Sequence, residues 1–185
     1  GIQQGIENTN YLLKTYNKNY ILTIFEKRVQ KKDIPFFMKL MDKLNQQKIN
    51  CPKPIKNRNG KYLTLIQNKS ACIVTFLKGK DKKNLNNKNC YDAGRNIAKF
   101  HKVSKKIKLY RKNSMSIKNL DPLLKSLKFK SKKILPNLKS VLKKNLKEIK
   151  KEWPKNIPEG IIHGDLFIDN IFFNKNKFVG FIDFY

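Results

Sequence analysis

Apolar and polar positions follow a changing rhythm along this chain, and each change predicts an element. "NYLLKTYNKNYILTIFE" (10–26) holds two apolar stretches split by Asn17-Lys18-Asn19, which predicts a β-hairpin. In "DIPFFMKLMDKLNQQK" (33–48), Phe36, Phe37, Leu40, Met41 and Leu44 recur at helical spacing. Asp33 is the expected cap of that helix, and Pro35 sits in its first turn. "CPKPIKNRNGK" (51–61) predicts a loop with a turn at Asn59-Gly60, and "YLTLIQNKSACIVTFL" (62–77) again predicts strand, turn, strand. The order strand, strand, helix, strand, strand describes an antiparallel sheet with one helix packed on it.

"KGKDKKNLNNKNC" (78–90) is polar and turn-rich and reads as a junction between two lobes. Beyond it the rhythm turns helical. "CYDAGRNIAKFHKVS" (90–104) places Tyr91, Gly94, Ile97, Ala98 and His101 on one stripe, with His101 expected as a packed core histidine. In "SKKILPNLKSVLKKNLKEIKKEW" (131–153), Ile134, Leu135, Leu138, Val141, Leu142, Ile149 and Trp153 recur every three or four residues. That pattern predicts a core-facing helix with a solvated lysine face, ended by Pro154 and Pro158. "GIIHGD" (160–165) is expected to enter as a short strand and leave as a loop. "NIFF" and "FVGFID" are apolar runs joined by "NKNK", a four-residue hairpin loop. No internal repeat is visible.

Composition adds limits. With 185 residues, 39% apolar and 11% aromatic, the chain reads as globular and long enough for one ordinary domain or two small lobes. No apolar run approaches the ~20 residues of a membrane span, and no signal-peptide pattern is present. Cys51, Cys72 and Cys90 lie far apart with no CxxC, so neither a disulfide framework nor a zinc site is expected; a cytoplasmic location is. The net charge of +29 is dominated by lysine and spread evenly. Without interleaved arginine and aromatic residues it reads as compositional bias, not as a nucleic-acid surface. Neither a nucleic-acid nor a membrane partner is expected.

Against 42 Lys+Arg there are 13 Asp+Glu, yet Asp165, Asp169 and Asp183 all fall within the last 21 positions, in the apolar "IIHGDLFIDNIFF" (161–173) and just after it. Burying an unpaired carboxylate is costly, and a metal ion offsets that cost. Folding the terminal hairpin about 174–177 sets Phe173 opposite Phe178 and Ile171 opposite Gly180. Asn170 then lies near Phe181 and Ile182, and Asn170 and Asp183 share the open end, with Asp165 one loop away. Few oxygen ligands suit Mg²⁺, which completes its shell with water and phosphate.

His163-Gly164-Asp165-Leu166-x-x-Asp169-Asn170 parallels the kinase catalytic loop H-R-D-L-x-x-x-N, and "DFY" (183–185) stands where D-F-G stands. The chain thus resembles the aminoglycoside phosphotransferase/choline kinase superfamily. "GIENTNYLLKT", "YILTIFEKRV" and "DIPFFMKLMDKL", together with "GFIDFY", resemble the bacterial homoserine kinase family within it. The resemblance implies an α+β, two-lobed, protein-kinase-like fold, with an antiparallel-sheet N-lobe over 1–78 and a mainly helical, incomplete C-lobe over 79–185. It implies transfer of the ATP γ-phosphoryl group to the side-chain hydroxyl of L-homoserine, with ATP and Mg²⁺ as cofactors. Asp165 then matches the catalytic base, and Asn170 and Asp183 match the metal ligands. Gly1 and Gly5 match the phosphate-covering hairpin. His163 is expected to support the loop, and Asp169 either to ligate or to brace it. Thr23 occupies the place of the strand lysine of protein kinases and is the remaining nucleotide-site candidate; Lys27 and Arg28 follow it. A sister kinase acting on choline or an aminoglycoside is the alternative, ahead of a catalytically dead kinase or a basic RNA-binding protein. The chain starts without Met and stops two residues after Asp183, so it is expected to be a piece of a longer reading frame.

Overall fold

The computed structural model describes residues 8–26, 29–126 and 137–185. Gly1, Gly5, Lys27, Arg28, Ile134 and Leu135, named above, lie outside them. The chain divides into two compact units. One joins the residues up to Tyr110 with Gly160–Tyr185, and the other is Arg111–Glu159. The lobe boundary expected after residue 78 falls inside the first unit.

In the first unit, β1 (Asn8–Lys14) and β2 (Asn19–Phe25) form the expected hairpin, with Asn8 opposite Phe25 and Lys14 opposite Asn19. The Thr15 hydroxyl closes its turn by donating to the Lys18 carbonyl at 2.6 Å. β2 pairs with β5 (Lys69–Thr75), which also carries β4 (Leu63–Ile66) and the short β3 (Pro54–Ile55), all antiparallel. β3 lies in the segment expected to be loop. Two residues are too few to show alternation, and a proline seldom marks a strand. The β4–β5 turn is Gln67-Asn68, both in the left-handed region at φ 48° and 61°, the conformation a tight two-residue hairpin demands.

α1 (Ile34–Gln46) buries Ile34, Met38, Met41 and Leu44 almost completely, each stabilising the fold by about 1.5–3 kcal/mol. Pro35 is in its first turn, while the Asp33 side chain makes no capping bond. α2 (Asn87–Ser104) begins earlier than its apolar rhythm suggests, because Asn86 and Asn89 form a reciprocal capping box. Its buried positions are Asn89, Ala93, Phe100 and Ser104, with Ile97 packed on the core. Tyr91, Gly94, Ala98 and His101 are exposed, which overturns the predicted stripe and the core role of His101. The reason is that two polar residues are satisfied inside. Asn89 accepts from Lys82 Nζ at 2.8 Å and donates to the Asn176 carbonyl at 3.3 Å, and Ser104 donates to the Ile161 carbonyl at 2.6 Å.

Residues 160–167 form an extended loop, not the strand expected at "GIIHGD". β6 (Ile171–Asn174) and β7 (Lys177–Phe181) make the terminal hairpin, with Lys175-Asn176 as a turn of two residues rather than four. Phe173 lies opposite Phe178 as expected. A bulge between Phe172 and Phe173 then shifts the pairing, so Ile171 faces Phe181 and Phe172 faces Gly180. Lys80 exchanges two backbone hydrogen bonds with Phe173, at 3.0 and 2.8 Å. Phe173, Phe181 and Phe184 join Phe100 and the α1 face in one core.

The second unit contains α3 (Ile117–Ser126), which no apolar rhythm announced, and α4 (Leu138–Glu152). Leu146 is the buried residue of α4, and Lys150 pairs with Asp121 of α3. Val141, Ile149 and Trp153 are exposed, contrary to the core-facing expectation. Among the described residues no helix is long and apolar enough to cross a membrane.

Candidate active site

The site is assembled by the loop before β6 and the residues after β7. Gly164 has φ 85°, a backbone that a side chain at this position would strain. Open space surrounds it, so the conformation and not crowding selects glycine. The turn leaves Asp165 exposed. A 3-10 turn at Ile168–Asn170 follows, closed by the Asn170 N–H on the Phe167 carbonyl at 3.0 Å.

Asn170 is buried. Its Nδ2 donates to the Asp165 carbonyl at 2.8 Å, which orients the amide. The Asn170 carbonyl accepts from the Ile182 N–H at 3.0 Å. His163 takes the other side of Ile182: its Nε2 lies 2.7 Å from the Ile182 carbonyl and therefore carries the proton. Both peptide groups of Ile182 are thus held, immediately before Asp183. Asp183 itself sits at φ 61°, an uncommon conformation for a residue with a side chain, and the residue is exposed. These bonds draw Asp165, Asn170 and Asp183 together along the backbone. Asp169 is exposed within the 3-10 turn.

His163 packs on Phe184 at 4.8 Å between ring centroids. Burial holds its pKa below the usual histidine value, outweighing the hydrogen bond to Ile182 and the charge of Asp165. Its Nδ1 is buried without a hydrogen-bond partner among the described residues, so a second proton would find no acceptor among them. These contacts join His163 to the backbone before Asp183 and to the Phe184 ring.

Thr23 is fully buried on β2. Its hydroxyl donates to Asn10 Oδ1 at 2.7 Å and lies 3.1 Å from the Tyr185 hydroxyl. Neither Tyr185 nor Asn10 is a site candidate from the sequence pattern alone. The "DFY" ending was the visible signal of Tyr185, since a tyrosine brings a polar group to a place a glycine leaves empty.

Among the described residues no cluster of three or more His, Cys, Asp and Glu side chains is suited to a metal. The donor set at hand, one amide oxygen and one carboxylate, fits a cation that draws its other ligands from phosphate and water. Hard oxygen donors of this kind match Mg²⁺ and not a zinc-type metal.

Residues 1–185 match the phosphotransferase enzyme family. A homoserine kinase from Parvibaculum lavamentivorans is 40% identical over the whole of this chain and 58% of its own length. A homoserine kinase from Bradyrhizobium diazoefficiens is 39% identical over the whole chain and 57% of its own length. The chain thus spans little more than half the length of the curated relatives it matches. Among solved structures, amicoumacin kinase in complex with AMP-PNP, Ca²⁺ and Ami superposes with a TM-score of 0.74 at 19% identity, over 97% of this chain and 56% of that one. That likeness establishes the fold: antiparallel sheet plus helices, kinase-like, as expected.

Proposed function

The chain belongs to the phosphotransferase enzyme family, and from that premise we propose that it carries the nucleotide and catalytic segment of an ATP-dependent homoserine kinase. The observation that carries the acceptor assignment is the 40% identity, along the whole chain, to a homoserine kinase. The gathering of Asp165, Asn170 and Asp183 supports the chemistry.

In this reading the homoserine hydroxyl approaches Asp165, whose carboxylate orients it and takes its proton. The hydroxyl oxygen forms a bond to the γ-phosphorus while the bond from that phosphorus to the β,γ-bridging oxygen breaks. ADP leaves with the electron pair, and O-phospho-L-homoserine is the product. Asn170 and Asp183 would hold Mg²⁺, which supplies positive charge to the phosphate oxygens. His163 and Asn170 keep Ile182, and so the residue after it, in place. The exposure of Asp165 leaves its carboxylate accessible to a small alcohol. The reading also takes the protein to be cytoplasmic.

The test is product identity. The protein carrying this chain, given ATP, Mg²⁺ and homoserine, should release ADP and a phosphomonoester in equal amounts, the latter seen on homoserine by phosphorus NMR. ADP release accompanied only by free phosphate would leave a nucleotide hydrolase and remove the acceptor assignment.

A further inference from the structure

The contact between Tyr185 and Thr23 joins residues 162 positions apart, one on β2 and one just past the metal-site candidate Asp183. The Tyr185 ring is packed as well as hydrogen-bonded: it meets Phe25 edge-on at 5.0 Å and Phe37 at 6.3 Å. Asp183, two residues earlier, holds φ 61°. An uncommon backbone conformation persists only where surrounding contacts determine it. Toward the N-terminus that anchor is Ile182, held by His163 and Asn170. Toward the C-terminus it is Phe184, buried against Phe100 and His163, and then Tyr185.

Thr23 has no freedom to serve any other partner. It is fully buried, and its one proton goes to Asn10 Oδ1. Its oxygen lone pairs are then left to accept from Tyr185, so the chain of donors runs Tyr185 to Thr23 to Asn10. Three side chains from β1, β2 and the "DFY" segment thus form one directed relay. Asn10 pairs with Thr23 across the β1–β2 hairpin itself.

We infer that Tyr185 is a positioning residue for Asp183, and that Thr23 acts through it, tying the metal-holding carboxylate to the β1–β2 hairpin. The inference rests on the reading of Asp183 as a Mg²⁺ ligand. It gives Thr23 a part in nucleotide binding without contact: the position that protein kinases fill with a phosphate-binding lysine here holds the metal loop. Removing either hydroxyl frees the loop and weakens the metal, not the adenine or the acceptor. Removing both does no further harm, because either change alone breaks the relay.

The experiment is calorimetric binding of a non-hydrolysable ATP analogue, titrated over Mg²⁺, to the intact protein and to Tyr185→Phe, Thr23→Val, Thr23→Ser and the Tyr185→Phe/Thr23→Val pair. Tyr185→Phe keeps the ring packing, and Thr23→Ser keeps the hydroxyl. Each single loss should raise the Mg²⁺ concentration for half-maximal binding by about 3- to 10-fold, the scale of one hydrogen bond. The pair should match the larger single effect, metal-free binding should be unchanged, and Thr23→Ser should resemble the unaltered protein. A Mg²⁺ response of Tyr185→Phe equal to the unaltered protein would overturn the inference, even if its melting temperature fell. Additive single effects would overturn it too, as would nucleotide binding that ignores Mg²⁺ in the unaltered protein. Absence of homoserine turnover in the unaltered protein, with the Mg²⁺ shifts of the variants as expected, would count against the acceptor assignment alone and would uphold the relay.

Discussion

Asp165 and Asp183 are both exposed acids, and the proposed function gives them different work. Asp165 faces outward from a loop whose backbone is fixed by Gly164 and Asn170, which suits contact with a mobile hydroxyl. Asp165→Asn should lower kcat by about 10²–10⁴-fold, the usual range for a general base, with nucleotide binding retained. Asp183→Ala should instead abolish the Mg²⁺ dependence of nucleotide binding. Steady-state rates and analogue titrations on the two variants check this, and an identical pattern for both would refute the division of labour. His163 offers a pH test. Its folded-state pKa lies below the usual histidine value of 6.5, so the folded chain binds fewer protons than the unfolded one. Its contribution is therefore complete above that value and is lost as pH falls through it toward the depressed one. Thermal melts from pH 8 to 5 should show a decline below about 6.5 that His163→Gln reduces; identical slopes would exclude the histidine as its source. These acids were legible in the sequence because carboxylates are scarce and their spacing is chemical. The Thr23–Tyr185 contact was not, since nothing local links residues so far apart.

Elements with a clean rhythm were legible, and those whose burial depends on side-chain hydrogen bonds were not. The β1–β2 and β4–β5 hairpins and the α1 face follow directly from alternation and helical spacing. α2 presents Asn89 and Ser104 to the core, which a hydrophobic pattern scores as surface. The β6–β7 bulge moves the register by one position, and beyond it Gly180 lies against Asn50. A Cβ at Gly180 would stand 2.7 Å from the Asn50 carbonyl oxygen and 3.0 Å from Leu77 Cδ1. The same carbonyl accepts the Phe181 N–H at 3.0 Å, so it cannot retreat without losing that bond. Gly180→Ala should cost about 1–3 kcal/mol, as overpacking does, read from denaturant unfolding. An unchanged midpoint would show that the strand stands off from residue 50 in solution.

At the scale of the molecule, the kinase-like fold was legible mainly through the two ends of the chain, while the middle carried little signal. α3 is too short and too polar to declare itself, and Arg111–Glu159 forms a unit of its own that a boundary drawn at residue 78 does not mark. The charge of +29 is spread over both units and identifies no ligand. What remains is the acceptor, because the proposed catalytic loop and metal pair would serve any small alcohol. Initial rates of ADP release by the protein carrying this chain, measured with ATP and Mg²⁺ against homoserine, choline and kanamycin side by side, decide it. Homoserine turnover should stand well above both of the others; faster turnover of choline or kanamycin would remove the homoserine reading and leave only the phosphotransferase family.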